Sequence, residues 1–236
     1  MMSMRDIMLQ GTIQTARKKA RRNILKYTME CFSHVNVGEN PLIFDMGCGD
    51  GMVSIELARH FHGRVIGIDK DLDALNQLKD SLMELPDASL RSRVQPIHSS
   101  FTWLRLLPSI ADMIWSEGSI HFIGFKRALA TWKKYLQLGG TLGIHAALGG
   151  ESDRRKEFKK HGFSLEHEFK LPGNTWWNEY YTPLHDLARG LEQEAGYSLL
   201  RHASFINLKN ELQSMENNER NRQSVIYILR YHGGKG

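Results

Sequence analysis

Between Pro41 and His60 the chain reads "PLIFDMGCGDGMVSIELARH": an apolar run, three glycines at alternate positions, then helical spacing. That succession leaves few folds open. A strand that ends in glycines and passes straight into a helix commits the chain to a crossover, and the crossover to a parallel neighbouring strand. Val53, Leu57 and Phe61 recur on one helical face, as do Met52 and Ile55. The alternation repeats downstream. "RVIGID" is a second apolar strand and "DLDALNQLKDSLMEL" a second amphipathic helix. "RVQPIHSSF" is a third strand, whose Pro96 suits an edge position or a strand's beginning. "ADMIWSEG" reads as a fourth strand, "KRALATWKKYLQ" as the helix after it, stopped by Gly139–Gly140, and "TLGIHAAL" as a fifth strand. Ahead of them all, Thr12–His34 has helical spacing, with Ile13, Ala16, Ala20, Ile24 and Tyr27 near one face. Such alternation predicts an α/β fold: parallel strands covered by helices on both faces, with ligands outside the carboxyl ends of the strands.

A chain of 236 residues suffices for one α/β domain with an added cap. Its only cysteines, Cys31 and Cys48, exclude a disulfide framework and fit a reducing cytoplasm. Eleven histidines fall nowhere at zinc-ligand spacing, so no metal is expected. No apolar run approaches the roughly 18 residues of a membrane helix, and Met1–Arg22 lacks a signal peptide's apolar core. The net charge of +5 raises the question of nucleic acid. Much of it sits in "ARKKARR" (Ala16–Arg22) and "RRKEFKK" (Arg154–Lys160), without interleaved aromatics for base stacking. Both stretches read as solvated helix faces.

Three kinds of glycine loop join a strand to a helix. A phosphate-binding P-loop needs a Lys-Ser/Thr pair after its glycines, and none follows here. The dinucleotide fingerprint needs a third glycine where Met52 stands. What remains is acidic-x-Gly-x-Gly-x-Gly: Asp45, Gly47, Gly49, Gly51. Asp45 and Asp50 flank these glycines, and the loop has no basic residue. Carboxylates would repel a pyrophosphate and attract an ammonium or a sulfonium. Asp69 ends the second strand about twenty residues further on, where an acid can bond both ribose hydroxyls. An adenosine ligand with positive charge and no phosphate is S-adenosylmethionine.

The motifs "IFDMGCGDG", "IGIDKD", "IHSSF" and "ADMIWSEGSIHFIGF…LQLGGTLGIHAA" resemble, in order and over Pro41–Leu148, those of class I S-adenosylmethionine-dependent methyltransferases. Within that class, "DMIWSEGSIHFIGF" and "FKLPGNTWWNEYYTPL" (Phe169–Leu184) resemble a branch acting on small molecules. The resemblance implies a Rossmann-like sheet of seven strands, the last antiparallel, with helices on both faces. It puts the sixth strand at Phe163–Leu171, after a basic helix Glu151–His161, and the seventh at Ser224–Tyr231. The alternative sixth strand is "YSLLRHASFI". Residues 172–223 are too many for a hairpin-like link and read as the helices "PLHDLARGLEQEAG" and "SFINLKNELQSMENNERN", a cap before the last strand. The expected organisation is one domain: an N-terminal helical segment 1–40, a cofactor-binding core 41–171, the cap 172–223 and a final strand 224–232.

The resemblance also implies roles. Gly47, Cys48, Gly49 and Gly51 would meet the methionine portion through backbone groups, with Asp45 orienting its ammonium. Asp69 would hold the ribose, with Lys70 a further cofactor-binding candidate; Ser100 and Phe101 would lie at the adenine, and Ser116 beside the methionine moiety. Most class members carry an acid near the position of Ser100; here Ser99–Ser100 replaces it. Methyl transfer needs alignment, water exclusion and, for some nucleophiles, a base. Glu117, His121 and His145 lie near strand ends and are candidates, Glu117 and His121 foremost. Four large aromatics within six residues, Trp176, Trp177, Tyr180 and Tyr181, exceed what one helix face buries and suit a wall for a small-molecule acceptor. An RNA or protein acceptor is the alternative, and a third reading is a non-catalytic domain that binds S-adenosylmethionine for regulation. The Asn/Asp-Pro-Pro-aromatic motif of nucleobase amino-methylating enzymes is replaced here by Ser116-Glu117-Gly118.

Overall fold

The computed structural model describes residues 4–102, 104–194, 201–217 and 223–233, and the chain divides into two compact units. The larger comprises Met29–Phe169 and Val225–Gly236. Its sheet consists of β1 (Leu42–Met46), β2 (Arg64–Asp69), β3 (Val94–His98), β4 (Ala111–Glu117), β5 (Leu136–Ala147), β6 (Phe163–Lys170) and β7 (Ser224–Tyr231), in the order β3-β2-β1-β4-β5-β7-β6. β1 pairs in parallel with β2 on one side and β4 on the other, with Phe44 opposite both Ile66 and Ile114. The path therefore runs outward from β1 to β3 and returns to start again at β4. The glycine turn after β1 lies at that reversal, the usual ligand crevice of such sheets. β7 runs against β6, since Leu171 N–H donates to Ser224 O at one end and His232 N–H to Gly162 O at the other.

The central strands are covered on both faces, so they read as unbroken apolar runs. Ile43, Phe44, Met46, Met113, Ile114 and Trp115 are all buried. The flanking helices are buried on one stripe each. In α2 (Met52–Phe61) this is Val53 and Leu57; in α3 (Leu72–Glu84) it is Leu75, Leu78 and Leu82. Asp71 caps α3 by accepting from the N–H groups of Asp73 and Ala74 at 3.0 and 3.1 Å. β3 is the edge strand, where Pro96 costs no ladder bond on its open side.

Several boundaries differ from the sequence reading. The first helix, α1 (Met4–Phe32), begins eight residues before Thr12, because only Gly11 interrupts an otherwise helix-compatible stretch. The six-residue α4 (Ala88–Arg93) is too short to show a period. Helix α6 (Phe125–Trp132) ends well before Gln137, and Gly139–Gly140 lie inside β5 instead of ending a helix. They belong to a bulge: Ala111 faces Leu136 while Met113, two residues on, faces Thr141, five residues on. Gly139 takes a positive φ of 80° there, which a glycine adopts without strain. The helix α7 (Glu151–Lys160) and strand β6 fall where the first reading put them. The alternative strand fails in its described part, because Ala203–Ile206 are helical.

The smaller unit comprises Met1–Thr28 and Lys170–Ser224. It holds most of α1, a π-helix at Trp176–Tyr181, α8 (Thr182–Glu194) and α9 (Ala203–Glu216). The expected helices before the last strand are therefore present; the parts of those readings at 195–200 and 218–222 lie outside the described residues. Arg17 bonds Glu211 at 2.5 Å and Tyr180 at 3.4 Å, while Glu179 accepts from Lys26 at 2.7 Å and Tyr27 at 2.7 Å. Burial works against the Arg17 charge, but the hydrogen bonds and charges of Glu211 and Tyr180 together outweigh it and hold the pKa above its ordinary value.

Candidate functional site

The turn after β1 is fixed from three directions. From β2, the carbonyl of Ile68 accepts the N–H groups of Gly47 and Cys48 at 2.8 and 3.1 Å. One carboxylate oxygen of Asp69 accepts from Gly49 N–H at 2.8 Å, and the other from Asp71 N–H at 3.0 Å. From β4, Ser119 Oγ donates to Met46 O at 2.7 Å and lies 2.8 Å from Ser116 Oγ. From α2, Ser54 Oγ donates to Asp45 Oδ2 at 2.6 Å. Asp45 is thus a buried acid near the end of β1, engaged with the first turn of the following helix.

The glycines follow from this fastening. Gly47, Gly49 and Gly51 all have positive φ, at 79°, 55° and 75°. A Cβ on Gly47 would lie 2.5 Å from Ser119 Cβ, and one on Gly51 would lie 2.1 Å from Leu78 Cδ1. The Cys48 side chain packs over Gly67 of β2, where a Cβ would stand 3.1 Å from Cys48 Sγ. Burial, followed by the nearby charges of Asp45 and Asp69, pushes that thiol far above its ordinary pKa. Cys48 is tied to β2 by its N–H, which Ile68 O accepts, and by the packing of its side chain on Gly67.

The structure gathers Asp45, Gly47, Cys48, Gly49, Gly51, Asp69 and Ser116 around the carboxyl ends of β1, β2 and β4. Phe101 joins them from beyond β3. Its ring comes 3.6 Å from where a Gly47 Cβ would be, and its carbonyl accepts from Trp132 Nε1 at 2.9 Å. Ser100 is exposed and bonds Thr102 Oγ1 at 2.7 Å. Lys70 is exposed, with Nζ 5.4 Å from the centre of the Phe122 ring.

The candidate bases separate. Glu117 and His145 face each other across the β4–β5 register, with His145 Nδ1 3.8 Å from Glu117 Oε1. His145 is buried and Glu117 nearly so. Cys31, a buried thiol that sequence reasoning left out of the site, senses Glu117: burial first, then that carboxylate, pushes its pKa up to about 12. His121 is exposed, on the short helix α5 (Ile120–Ile123), with its ring 3.9 Å from that of Phe122. Trp176, Trp177, Tyr180 and Tyr181 belong to the smaller unit. The two tyrosines are buried, their rings 4.9 Å apart and perpendicular; the tryptophans are half-buried, with Trp176 Nε1 donating to Ser224 Oγ at 2.7 Å.

Ser54, Ser119, Phe122 and the nearby Cys31 are the residues that sequence reasoning missed. Only Ser119 left a signal, as the serine two places beyond the Glu117 already singled out. Chemically, the site offers carboxylates, hydroxyls and backbone groups and no basic side chain in the turn. Asp69 spends one lone pair of each oxygen on backbone N–H groups and keeps others for hydroxyl donors. That donor set fits an adenosine cofactor bearing cationic groups. Among the described residues no group of His, Cys, Asp and Glu is placed to hold a metal ion. No helix among them is long and apolar enough to cross a membrane.

Residues 43–140 match the family model described as "Methyltransferase domain". Protein arginine N-methyltransferase 1 of Saccharomyces cerevisiae is 27% identical over 166 residues, covering 64% of this chain. The match spans 42% of that protein's length. Among solved structures, the [4+2]-cyclase SpnF superposes with a TM-score of 0.69 at 15% identity, over 90% of this chain and 82% of its own. Geranyl diphosphate C-methyltransferase from Streptomyces coelicolor A3(2), solved with Mg2+, geranyl diphosphate and S-adenosyl-L-homocysteine, superposes with a TM-score of 0.61 at 11% identity, over 87% and 77%. These likenesses show the fold: the seven-stranded sheet of class I methyltransferases.

Proposed function

We propose that this chain, which carries a class I S-adenosylmethionine-dependent methyltransferase domain, moves a methyl group to a small-molecule nucleophile by in-line displacement. The observation that carries the reading is the turn Asp45–Gly51, held between Asp69 and Ser119 and free of basic side chains. When bound, S-adenosylmethionine supplies a methyl group on a sulfonium, a good leaving group that ends as the neutral thioether of S-adenosylhomocysteine. Gly47, Cys48, Gly49 and Gly51 would meet its methionine portion through backbone groups, with Asp45 setting the charge of the turn and Ser116 beside it. Asp69 would hold the ribose, with Lys70 a further cofactor-binding candidate; Ser100 and Phe101 would frame the adenine.

Glu117 is the proposed base, where the acceptor has a proton to lose; His121 is a second candidate. The protein's remaining work is alignment and exclusion of water. Trp176, Trp177, Tyr180 and Tyr181 are the proposed acceptor-recognising residues. In this reading residues 1–236 form one methyltransferase domain in the cytoplasm, in keeping with two free thiols, and 172–223 choose the acceptor. The small-molecule reading is supported by the likeness of "DMIWSEGSIHFIGF" to small-molecule enzymes and by a structural neighbour solved with geranyl diphosphate. A protein acceptor is the second reading, favoured by the match to the yeast arginine methyltransferase. RNA is a third, raised by the basic helices.

The test has two stages. Calorimetric titration with S-adenosylmethionine and S-adenosylhomocysteine is expected to show binding that weakens about tenfold or more in Asp69→Asn, since a charged acceptor of hydroxyl bonds is lost. Absence of binding to the wild type sinks the cofactor reading. Release of S-adenosylhomocysteine is then followed with small nucleophiles, arginine-rich peptide and RNA. Turnover with peptide or RNA alone would overturn the small-molecule reading.

A further inference from the structure

Phe122 is out of place for an aromatic beside a buried site. It is 68% exposed, although Ile120 and Ile123 on the same short helix are buried. Its position is nevertheless fixed. Ser119, bonded to Met46 O and Ser116 Oγ, accepts the Phe122 N–H at 3.1 Å, so the ring is carried one turn beyond a fastened residue. Lys70 Nζ lies over the ring at 5.4 Å. Lys70 follows β2, Phe122 follows β4, and β1 runs between those strands. A contact from one to the other passes above the carboxyl end of β1, where the glycine turn lies. An exposed aromatic face that already holds an ammonium is therefore built from the two segments that flank the loop.

We propose that Phe122 discriminates between the two forms of the cofactor, its ring exchanging the Lys70 ammonium for the sulfonium of S-adenosylmethionine. The inference rests on the reading of the glycine turn as the cofactor's seat. An aromatic face attracts a cation through its quadrupole, and the attraction grows as water is withdrawn. Lys70 is exposed, so its ammonium returns to water when displaced. A sulfonium has no N–H groups to solvate and gives up less hydration than an ammonium on meeting the ring. S-adenosylhomocysteine carries no charge at sulfur and gains only ordinary contact there. The ring thus holds the methyl donor and loosens its grip once the methyl group has gone, with Lys70 free to reoccupy the face.

Calorimetric titration of the intact protein with both ligands tests this, on wild type, Phe122→Leu, Phe122→Trp and Lys70→Met. Phe122→Leu keeps an apolar side chain and removes the π face. It should weaken S-adenosylmethionine about fivefold and leave S-adenosylhomocysteine within about twofold. Phe122→Trp, the better cation acceptor, should tighten the charged ligand only. Lys70→Met should raise the preference for S-adenosylmethionine over S-adenosylhomocysteine, since a contact of Lys70 with the shared part of the cofactor is lost to both ligands alike while the competing cation is removed from one. Equal weakening of both ligands in Phe122→Leu would make the ring a steric wall and overturn the proposal. So would no change in either. Failure of the wild type to bind either ligand would show instead that the cofactor reading itself is wrong, and this inference would fall with it.

Discussion

At Gly47 two demands meet in one residue. Its φ of 79° belongs to the left-handed region, and Ser119 already occupies the space a Cβ would need. Gly47→Ala should therefore cost about 1–3 kcal/mol in urea unfolding, from backbone strain and overpacking together. Ser119→Gly clears that space but also removes the Oγ bond to Met46 O, so the comparison is relative: Gly47→Ala should cost less in a Ser119→Gly background than in wild type, the strain alone remaining. Cys31 gives a prediction in pH. Burial, then the charge of Glu117, raises its thiol from 9.0 to about 12 in the folded protein. On unfolding the thiol returns to its ordinary value, so the unfolded chain gives up the proton first. The stability linked to Cys31 is therefore whole below about pH 9 and is lost as pH rises toward about 12. Urea midpoints measured from pH 8 to pH 11 should fall less steeply in Cys31→Ala than in wild type. At this scale the glycines were legible, because backbone geometry restricts which residue can stand there. Cys31, Ser119 and Phe122 were not, because their meaning comes from neighbours across the sheet.

The pairing of β4 with β5 shows how an element constrains composition. Gly143 lies opposite Trp115, and a Cβ on it would fall 2.1 Å from Trp115 Cε3. Trp115 is fully buried in the middle of the sheet and cannot swing away. Gly143→Ala should thus cost more than about 3 kcal/mol, at the high end of overpacking. Trp115→Leu in the same chain should restore part of the loss, a coupling that thermal unfolding of the single and double variants would read. Most elements could be read from periodicity, since strands buried on two faces and helices buried on one leave different patterns. The failures have physical causes. Gly139–Gly140 look like a helix stop, yet a strand bulge needs the same backbone freedom. The π-helix at Trp176–Tyr181 follows no 3.6-residue period, so its aromatics announced themselves only by crowding.

For the whole molecule, sequence distance is a poor guide to the units. Arg17 and Glu211 stand 194 residues apart and close the smaller unit with an ion pair at 2.5 Å. Both side chains are about 30% exposed, so a double-mutant cycle of Arg17→Ala and Glu211→Ala should give a coupling of about 1 kcal/mol. A coupling near zero would show that water screens the pair out. The fold class was legible because the crossover rule needs only local signals. The membership of the smaller unit was not, since nothing near Arg17 points to Glu211.

The position of β7 between β5 and β6 also sets a timetable for biosynthesis. A nascent chain can assemble β1 to β5 as each emerges from the ribosome. β6 emerges next and finds no strand to pair with, because its one neighbour in the sheet is β7, some fifty residues later. Until Ser224–Tyr231 are made, β6 is a strand in waiting, and the edge of β5 stays open to any other chain nearby.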